Sequence, residues 1–191
     1  MPTLKPFLLP DSHKKLLHPE EFISLKYQKE KDDIEYHGKN KQQIESALKR
    51  KYYAERCFNL MREMKDGFKN FDRDEKRAGT ATIEITDLYK DETMFAVKIG
   101  KTSAKLCYVV DQSLTSLRMY RHGTLKDLPE IKTVAVWLIL ERKKHLGQLP
   151  DGKINIDELD MLMLKNRLDQ WKKEVRLAGF VPCIHVNYKT F

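Results

Sequence analysis

An acidic residue and a basic residue lie on two neighbouring strand-like segments near the middle of the sequence. Asp87 falls in the β-branched stretch 80–89, and Lys98 falls in the returning stretch 93–99, where strand alternation puts it on the same face as Ala96. A carboxylate opposite a lysine on the partner strand is typical of metal-dependent phosphodiesterases. Carboxylates hold Mg²⁺ or Mn²⁺, and the lysine stabilises charge that develops on the phosphate.

The elements that would position these residues alternate between helical and strand-like patterns. Helical spacing runs over 40–65, 103–121 and 157–178, and strand-like patterns cover 68–71, 80–99 (a hairpin), 134–140 and 180–188. The stretch 134–140 is continuously apolar, which is typical of a strand covered on both faces. This order predicts an α/β (α+β) fold, a mixed β-sheet flanked by helices.

The first part of the chain has a different character. Four prolines interrupt short apolar clusters before residue 20, and Phe22–Tyr27 alternates like a strand. We therefore expect residues 1–38 to form an irregular N-terminal arm and residues 39–191 to form one α/β domain.

The order of elements, with Asp87 and Lys98, resembles the PD-(D/E)XK, or restriction-endonuclease-like, superfamily. Its core is an αβββαβ unit, and the resemblance covers residues 40–141. The resemblance implies a nuclease fold with a metal held by acids on the second and third strands of that unit. The third-strand motif reads Ala96-Val97-Lys98 here, so an alanine stands where the second acid belongs.

Several segments are also similar to a sporadically distributed bacterial family that has no established activity. They are Tyr53–Asn59, Ile83–Leu88, Phe95–Lys98 and Ser103–Ser116. That family tends to occur in mobile or defence-type gene neighbourhoods, and its usual motif at the lysine is His-Val-Lys. The similarity implies a nuclease-like fold, with a homodimer or a larger defence complex as the expected assembly.

Glu55 is the candidate to replace the missing acid. It lies along the apolar stripe of the first helix, where a carboxylate is costly unless it is paired or bound to metal. The resemblance supports a metal-binding role, because first-helix glutamates complete the metal site in several members of the superfamily. The alternative is a structural ion pair with Lys51, Arg56 or Arg62.

Gln112 follows on the helix after the hairpin. The resemblance implies that this side chain orients water or phosphate near the metal, and the alternative is an ordinary solvated glutamine.

The charge of the chain favours a polyanionic partner. Its 191 residues include 36 Lys and Arg against 28 Asp and Glu, a net charge of +8. Two helical patches have positive charge next to aromatic residues, which is typical of surfaces that bind nucleic acid. The first patch is Lys49, Arg50 and Lys51, and the second is Arg118, Tyr120 and Arg121. The alternative for each patch is a solvated helix face.

The remaining features concern the compartment. The three cysteines are odd in number and form no CxxC pair, which argues against a zinc site or a disulfide framework. No apolar run approaches the ~18 residues of a membrane span, and the start lacks a secretory signal. We expect a cytoplasmic protein without membrane contact.

Three functions fit these observations. The first is a Mg²⁺- or Mn²⁺-dependent nuclease that acts on DNA or RNA, with Asp87 and Glu55 as metal ligands and Lys98 and Gln112 as further catalytic residues. The second is a catalytically degenerate module that binds nucleic acid or a protein, which the alanine at position 96 favours. The third is a structural subunit of a larger assembly.

Overall fold

The computed structural model describes residues 19–71, 75–78, 81–84, 86–125 and 128–189. The helices are α1 (Pro19–Glu30), α2 (Lys41–Lys51), α3 (Ala54–Asp66), α4 (Ser103–Arg121) and α5 (Leu162–Leu177), with short 3₁₀ turns at Ile34–Tyr36 and Ile156–Glu158. The strands are β1 (Lys69–Asn70), β2 (Glu75–Ala78), β3 (Ala81–Glu84), β4 (Leu88–Lys90), β5 (Thr93–Gly100), β6 (Thr133–Leu140) and β7 (Val181–Tyr188).

Five of these strands form one mixed sheet in the order β1-β4-β5-β6-β7. The β1–β4 and β4–β5 pairs are antiparallel, whereas the β5–β6 and β6–β7 pairs are parallel and are connected through α4 and α5. Strands β2 and β3 form a separate antiparallel hairpin. The predicted mixed sheet flanked by helices is therefore confirmed.

Helices cover both faces of the sheet. Helices α4 and α5 pack on one face through a core that includes Trp171, and α3 packs on the other through Phe58, which lies edge-on to Trp137 at a ring distance of 5.0 Å. Strand β6 is buried over all residues from Val134 to Leu140, which explains its unbroken apolar sequence.

The described part of the predicted arm, residues 19–38, contains a helix followed by turns and a short 3₁₀ helix. Helix α1 spans Pro19–Glu30, and its side chains Phe22 and Ile23 are buried against α2 and α3 in a third core cluster. The strand predicted at Phe22–Tyr27 is therefore wrong. Residues 1–18, the rest of the predicted arm, lie outside the described residues.

Two predicted elements are interrupted. The helix expected over 40–65 is divided into α2 and α3 at Tyr52 and Tyr53, and the strand expected over 80–89 is divided into β3, which ends at Glu84, and β4, which begins at Leu88. Strands β4 and β5 do form the predicted hairpin. Its turn residues Asp91 and Glu92 both have left-handed backbone angles, with φ of 46° and 57°, as a two-residue type I′ turn requires.

Candidate functional site at the open edge of β5

The candidate site forms where β5 extends beyond its antiparallel partner. Strand β4 pairs with Thr93–Phe95, and β5 then continues to Gly100. Within the described residues, the backbone N–H groups of Val97 and Ile99 meet side chains on this edge instead of a strand. Val97 N donates to Asp87 Oδ2 at 2.7 Å, and Ile99 N donates to Glu55 Oε2 at 3.2 Å. Two carboxylates therefore cap an edge whose partly buried N–H groups need acceptors.

The backbone around Asp87 is fixed by the adjoining strands. Asp87 N donates to the carbonyl of Phe95 at 3.1 Å, and its own carbonyl accepts from Phe71 N at 2.9 Å. The Thr86 hydroxyl donates to the same Phe95 carbonyl at 2.7 Å. Asp87 thus enters the sheet one residue before β4 begins, with its carboxylate directed along the open edge of β5 towards Val97.

Glu55 reaches the same edge from α3. It lies in the first turn of that helix, where the positive end of the helix dipole favours a carboxylate. Lys98 Nζ lies 3.1 Å from Glu55 Oε1 and 3.0 Å from Oε2. The pair is largely shielded, with 20% of the lysine side chain and 16% of the glutamate side chain exposed. Helix α3 therefore supplies the acid of a structural ion pair, and the partner of Glu55 is Lys98 instead of the cations nearer in the sequence, Lys51, Arg56 and Arg62.

Lys98 connects the two faces of the sheet at this point. Along β5, Met94 and Ala96 belong to the core under α4, so strand alternation directs Lys98 to the α4 face. Its ammonium lies 5.3 Å from the ring centre of Tyr108 on α4 and also contacts Glu55 on α3. The lysine can make both contacts because no strand closes the edge of β5 here in the described part of the chain.

The two carboxylates at this edge are the ligand type that cations of the Mg²⁺ class prefer, and both oxygens of Glu55 already contact Lys98. Such ions are commonly held by one or two carboxylates, with water and phosphate oxygens completing the shell, and Asp87 and Glu55 supply two carboxylates. The oxygens bound to Val97 N and Ile99 N are held by groups two strand residues apart, about 7 Å. Each carboxylate thus commits one oxygen to the backbone. Ala96 adds no ligand, because its methyl side chain has no donor atom, and it is 3% exposed within the α4 core.

Among the predicted catalytic residues, Glu55 contacts Lys98, and Asp87 reaches the same strand edge at Val97. Gln112 is half-buried on α4, one helical turn beyond Tyr108, and so lies on the side of the helix that carries the tyrosine. Tyr108 itself is 57% exposed beside Lys98 and was not predicted as a site residue. The signal for it was a lone aromatic residue on the polar side of the α4 pattern.

The predicted patch on α2 is partly neutralised. Lys51 Nζ lies 2.9 Å from a carboxylate oxygen of Glu30 and 2.8 Å from one of Glu35, and these hydrogen bonds raise the pKa of the Lys51 ammonium. Lys49 and Arg50 are exposed. Lys51 therefore helps to hold α2 to α1, and only its two neighbours present an open positive surface.

The predicted patch on α4 lies far from the candidate site. Arg118 is about 15 Å along the helix from Tyr108 at the usual rise per residue, and its guanidinium is 2.9 Å from Glu174. The Tyr120 hydroxyl accepts a hydrogen bond from Ile131 N, and its ring packs against Phe180. Tyr120 thus occupies a packing position, whereas Arg121 is exposed.

A cysteine and a histidine also meet on β7. Cys183 Sγ lies 3.3 Å from His185 Nε2. Burial raises the pKa of the Cys183 thiol and lowers the pKa of the His185 imidazole, so burial favours the neutral form of both groups. A neutral thiol is a poor nucleophile, which supports a structural role for this pair.

No helix in the described part of the chain is both long and apolar enough to span a bilayer. No curated protein and no solved structure matches the sequence. A family match covers residues 19–133, more than half of the chain and every residue from Glu55 to Tyr108 that forms the candidate site. The chain belongs to this family, which is described as a family of unknown function (DUF6119).

Proposed function

We propose that this chain acts on nucleic acid, as a domain of PD-(D/E)XK-like fold that cleaves phosphodiester bonds with Mg²⁺ or Mn²⁺. The observation that carries the proposal is that the carboxylates of Asp87 and Glu55, which come from separate segments, accept hydrogen bonds from Val97 N and Ile99 N on either side of Lys98, and that Lys98 contacts Glu55. The order of the elements in the main sheet supports it: when the separate β2–β3 hairpin is left aside, α3 is followed by the antiparallel strands β1, β4 and β5, then by α4 and the parallel strand β6. That order resembles the αβββαβ core of the superfamily.

Each residue has a defined part in this proposal. Asp87 and Glu55 would hold the cation, which when bound polarises a phosphate and lowers the pKa of a coordinated water. Lys98 brings a positive charge to the same edge, where it stabilises negative charge on phosphate oxygens. Gln112 is the candidate to orient water or phosphate, and the exposed ring of Tyr108 offers a surface on which a base can stack.

Substitutions that preserve the hydrogen bonds make the sharpest test. Asp87→Asn and Glu55→Gln keep an oxygen acceptor for the backbone N–H groups while removing the carboxylate. We expect Mn²⁺- or Mg²⁺-dependent cutting of DNA or RNA that chelator abolishes and that either variant reduces by about 100-fold or more. Glu45→Gln, at an exposed carboxylate on α2, is the matched control and should cut like the wild type.

Metal binding provides a second readout that needs no substrate. A cation that binds the folded state raises the unfolding temperature as its concentration exceeds its dissociation constant. Millimolar Mn²⁺ should stabilise the wild type and Glu45→Gln but not Asp87→Asn. Absence of both cutting and Mn²⁺ stabilisation in the wild type would rule out the metal-dependent nuclease.

A binding module without catalysis is the second candidate. It is favoured by Ala96, which is buried where the superfamily carries an acid, and by the direct ion pair that Glu55 makes with Lys98. This function predicts salt-sensitive binding of nucleic acid, no cutting with either metal, and equal affinity for Asp87→Asn and the wild type.

A further inference from the structure

A group of cations lies where the three parallel strands end. Strands β5, β6 and β7 finish side by side, and Glu141 N donates to the carbonyl of Gly100 at 3.0 Å, as Lys189 N does to that of Leu140. The residues that follow these ends carry a concentration of positive charge. Two basic residues follow β5 and three follow β6. We call these five residues the strand-end rim: Lys101, Lys105, Arg142, Lys143 and Lys144.

The strand-end rim is open to solvent and lightly opposed. Lys101, Lys105, Lys143 and Lys144 are all exposed. The acid within this stretch is Glu141, whose carboxylate is 2.8 Å from Lys189 and is thereby occupied. That hydrogen bond lowers the pKa of Glu141, and Lys105 and Lys101 lower it further by their charge. Lys189 thus neutralises Glu141, and the charge of the rim remains available to a ligand.

The rim is continuous with the candidate site. Lys98 lies two residues before the end of β5. The aliphatic stem of Lys105 runs over Gly100, since a Cβ built on that glycine would lie 3.1 Å from Lys105 Cδ. The α4 helix begins at this same end, so the positive end of its dipole adds to the field. The carboxyl ends of parallel strands are a common location of ligand sites in open α/β sheets.

We propose that the strand-end rim binds the phosphodiester backbone of the nucleic acid that the chain acts on, independently of base sequence. The inference rests on the proposed function and identifies the surface of the chain that contacts the nucleic acid. Three adjacent strand ends span about 10 Å at the usual strand spacing. About three nucleotides of one strand fit that length, given a rise of ~3.4 Å each. The rim, more than the patches on α2 and α4, would therefore carry the electrostatic part of binding.

Two variants with equal loss of charge test this assignment. In the rim variant, Lys101, Lys105, Lys143 and Lys144 are replaced by alanine. In the control variant, Lys49, Arg50, Arg118 and Arg121, four exposed cations of the two helical patches, are replaced by alanine. Binding of fluorescein-labelled 30-nucleotide single strands and duplexes of DNA and RNA is measured by anisotropy in chelator, over a series of salt concentrations.

We expect the rim variant to bind at least about 10-fold more weakly than the wild type, with a salt slope for duplex shallower by ~0.9 for each phosphate that the protein no longer neutralises. The control variant should stay within about 3-fold of the wild type, because screening weakens distant charges. The chelator prevents metal-dependent cutting, so binding is measured separately from cleavage. If the wild type never cuts and the rim variant binds more weakly, the rim assignment is supported although the nuclease proposal fails.

Three results would overturn the rim assignment. Equal weakening in both variants would mean that charge acts diffusely over the surface. Absence of wild-type binding at low salt would mean that no such partner surface exists. Equal affinity of the wild type for poly-glutamate and for nucleic acid would point to an acidic protein as the partner.

Discussion

The Lys98 ammonium and the Glu55 carboxylate meet at 3.0 Å although β5 directs the lysine towards α4 and the glutamate belongs to the helix on the opposite face. They meet because β5 extends past the first residue of β4 and leaves an edge around which a long side chain can bend. The same edge exposes backbone N–H groups, and Glu55 accepts from Ile99 as well as from Lys98. One helix residue thus stabilises both the strand edge and the charge beside it.

Replacing Glu55 by alanine should destabilise the fold more than replacing it by glutamine. Alanine leaves the Ile99 N–H and the Lys98 ammonium without their shared acceptor, whereas glutamine keeps an oxygen for them. We expect Glu55→Ala to lower the free energy of unfolding by about 1–3 kcal/mol. Urea denaturation of both variants measures the difference. Equal loss in the two variants would contradict a role in capping the edge.

Replacing Asp87 by alanine should likewise destabilise the fold more than replacing it by asparagine, because Asp87 accepts a hydrogen bond from Val97 N. Asp87→Ala removes the acceptor for Val97 N, at a cost of about 1–3 kcal/mol, while Asp87→Asn retains it. Chemical denaturation is again the measurement, and a stable Asp87→Asn protein is what the activity test above requires. If the asparagine variant were as unstable as the alanine variant, the carboxylate charge itself would be essential to the fold.

His185 makes stability depend on pH. Burial lowers its pKa in the folded protein below the unfolded value of 6.5, so below pH 6.5 the unfolded chain binds a proton that the folded chain does not. Stability should therefore fall as pH decreases from 6.5 and stay level above it. The slope should be smaller in His185→Gln, measured by thermal unfolding between about pH 5 and 8, a range that lies above the carboxylate titrations near pH 4. An unchanged slope would show that other groups are responsible.

The turn between β4 and β5 offers a stabilising change. Asp91 and Glu92 adopt left-handed angles that Asn-Gly accommodates with less strain. The double variant Asp91→Asn, Glu92→Gly should gain about 1 kcal/mol, or ~2–4 °C in unfolding temperature for a chain of this size. The exposed ion pair of Glu92 with Lys132 is lost, but such pairs contribute little. Calorimetry of the variant should show the gain, and a lower unfolding temperature would mean that this pair matters more than the turn.

The sequence patterns that predicted the fold correctly were long or chemically distinct. The apolar run of β6 and the β4–β5 hairpin needed no tertiary information, because burial on both faces and alternation are local properties. The segment Phe22–Tyr27 misled because six residues satisfy both a strand and a helix period. Helix α1 is decided by contacts of Phe22 and Ile23 with α2 and α3, which no local pattern contains.

The residues Asp87, Lys98 and Glu55 of the candidate site were predicted from the sequence, but the contacts that they make were not. Asp87 and Lys98 follow from the hairpin, and Glu55 follows from a carboxylate on an apolar stripe. Its partner is Lys98, 43 residues away, and the choice between that lysine and nearer cations depends on how α3 crosses the sheet. The capping of Val97 and Ile99 depends on the residue at which β4 begins, a boundary that sequence patterns fix only to within a few positions.

The full burial of β6 has a consequence for the exchange of its amide hydrogens with solvent. Each residue from Val134 to Leu140 is at most 1% exposed, and strands pair with β6 on both sides. Its amides should exchange only when the whole domain unfolds, and their rates would report the global stability. On the adjacent strand, the Val97 and Ile99 amides are held by side chains, and a rotation of Asp87 or Glu55 is enough to release them. Deuterium should therefore enter at the candidate site well before it reaches the neighbouring strand.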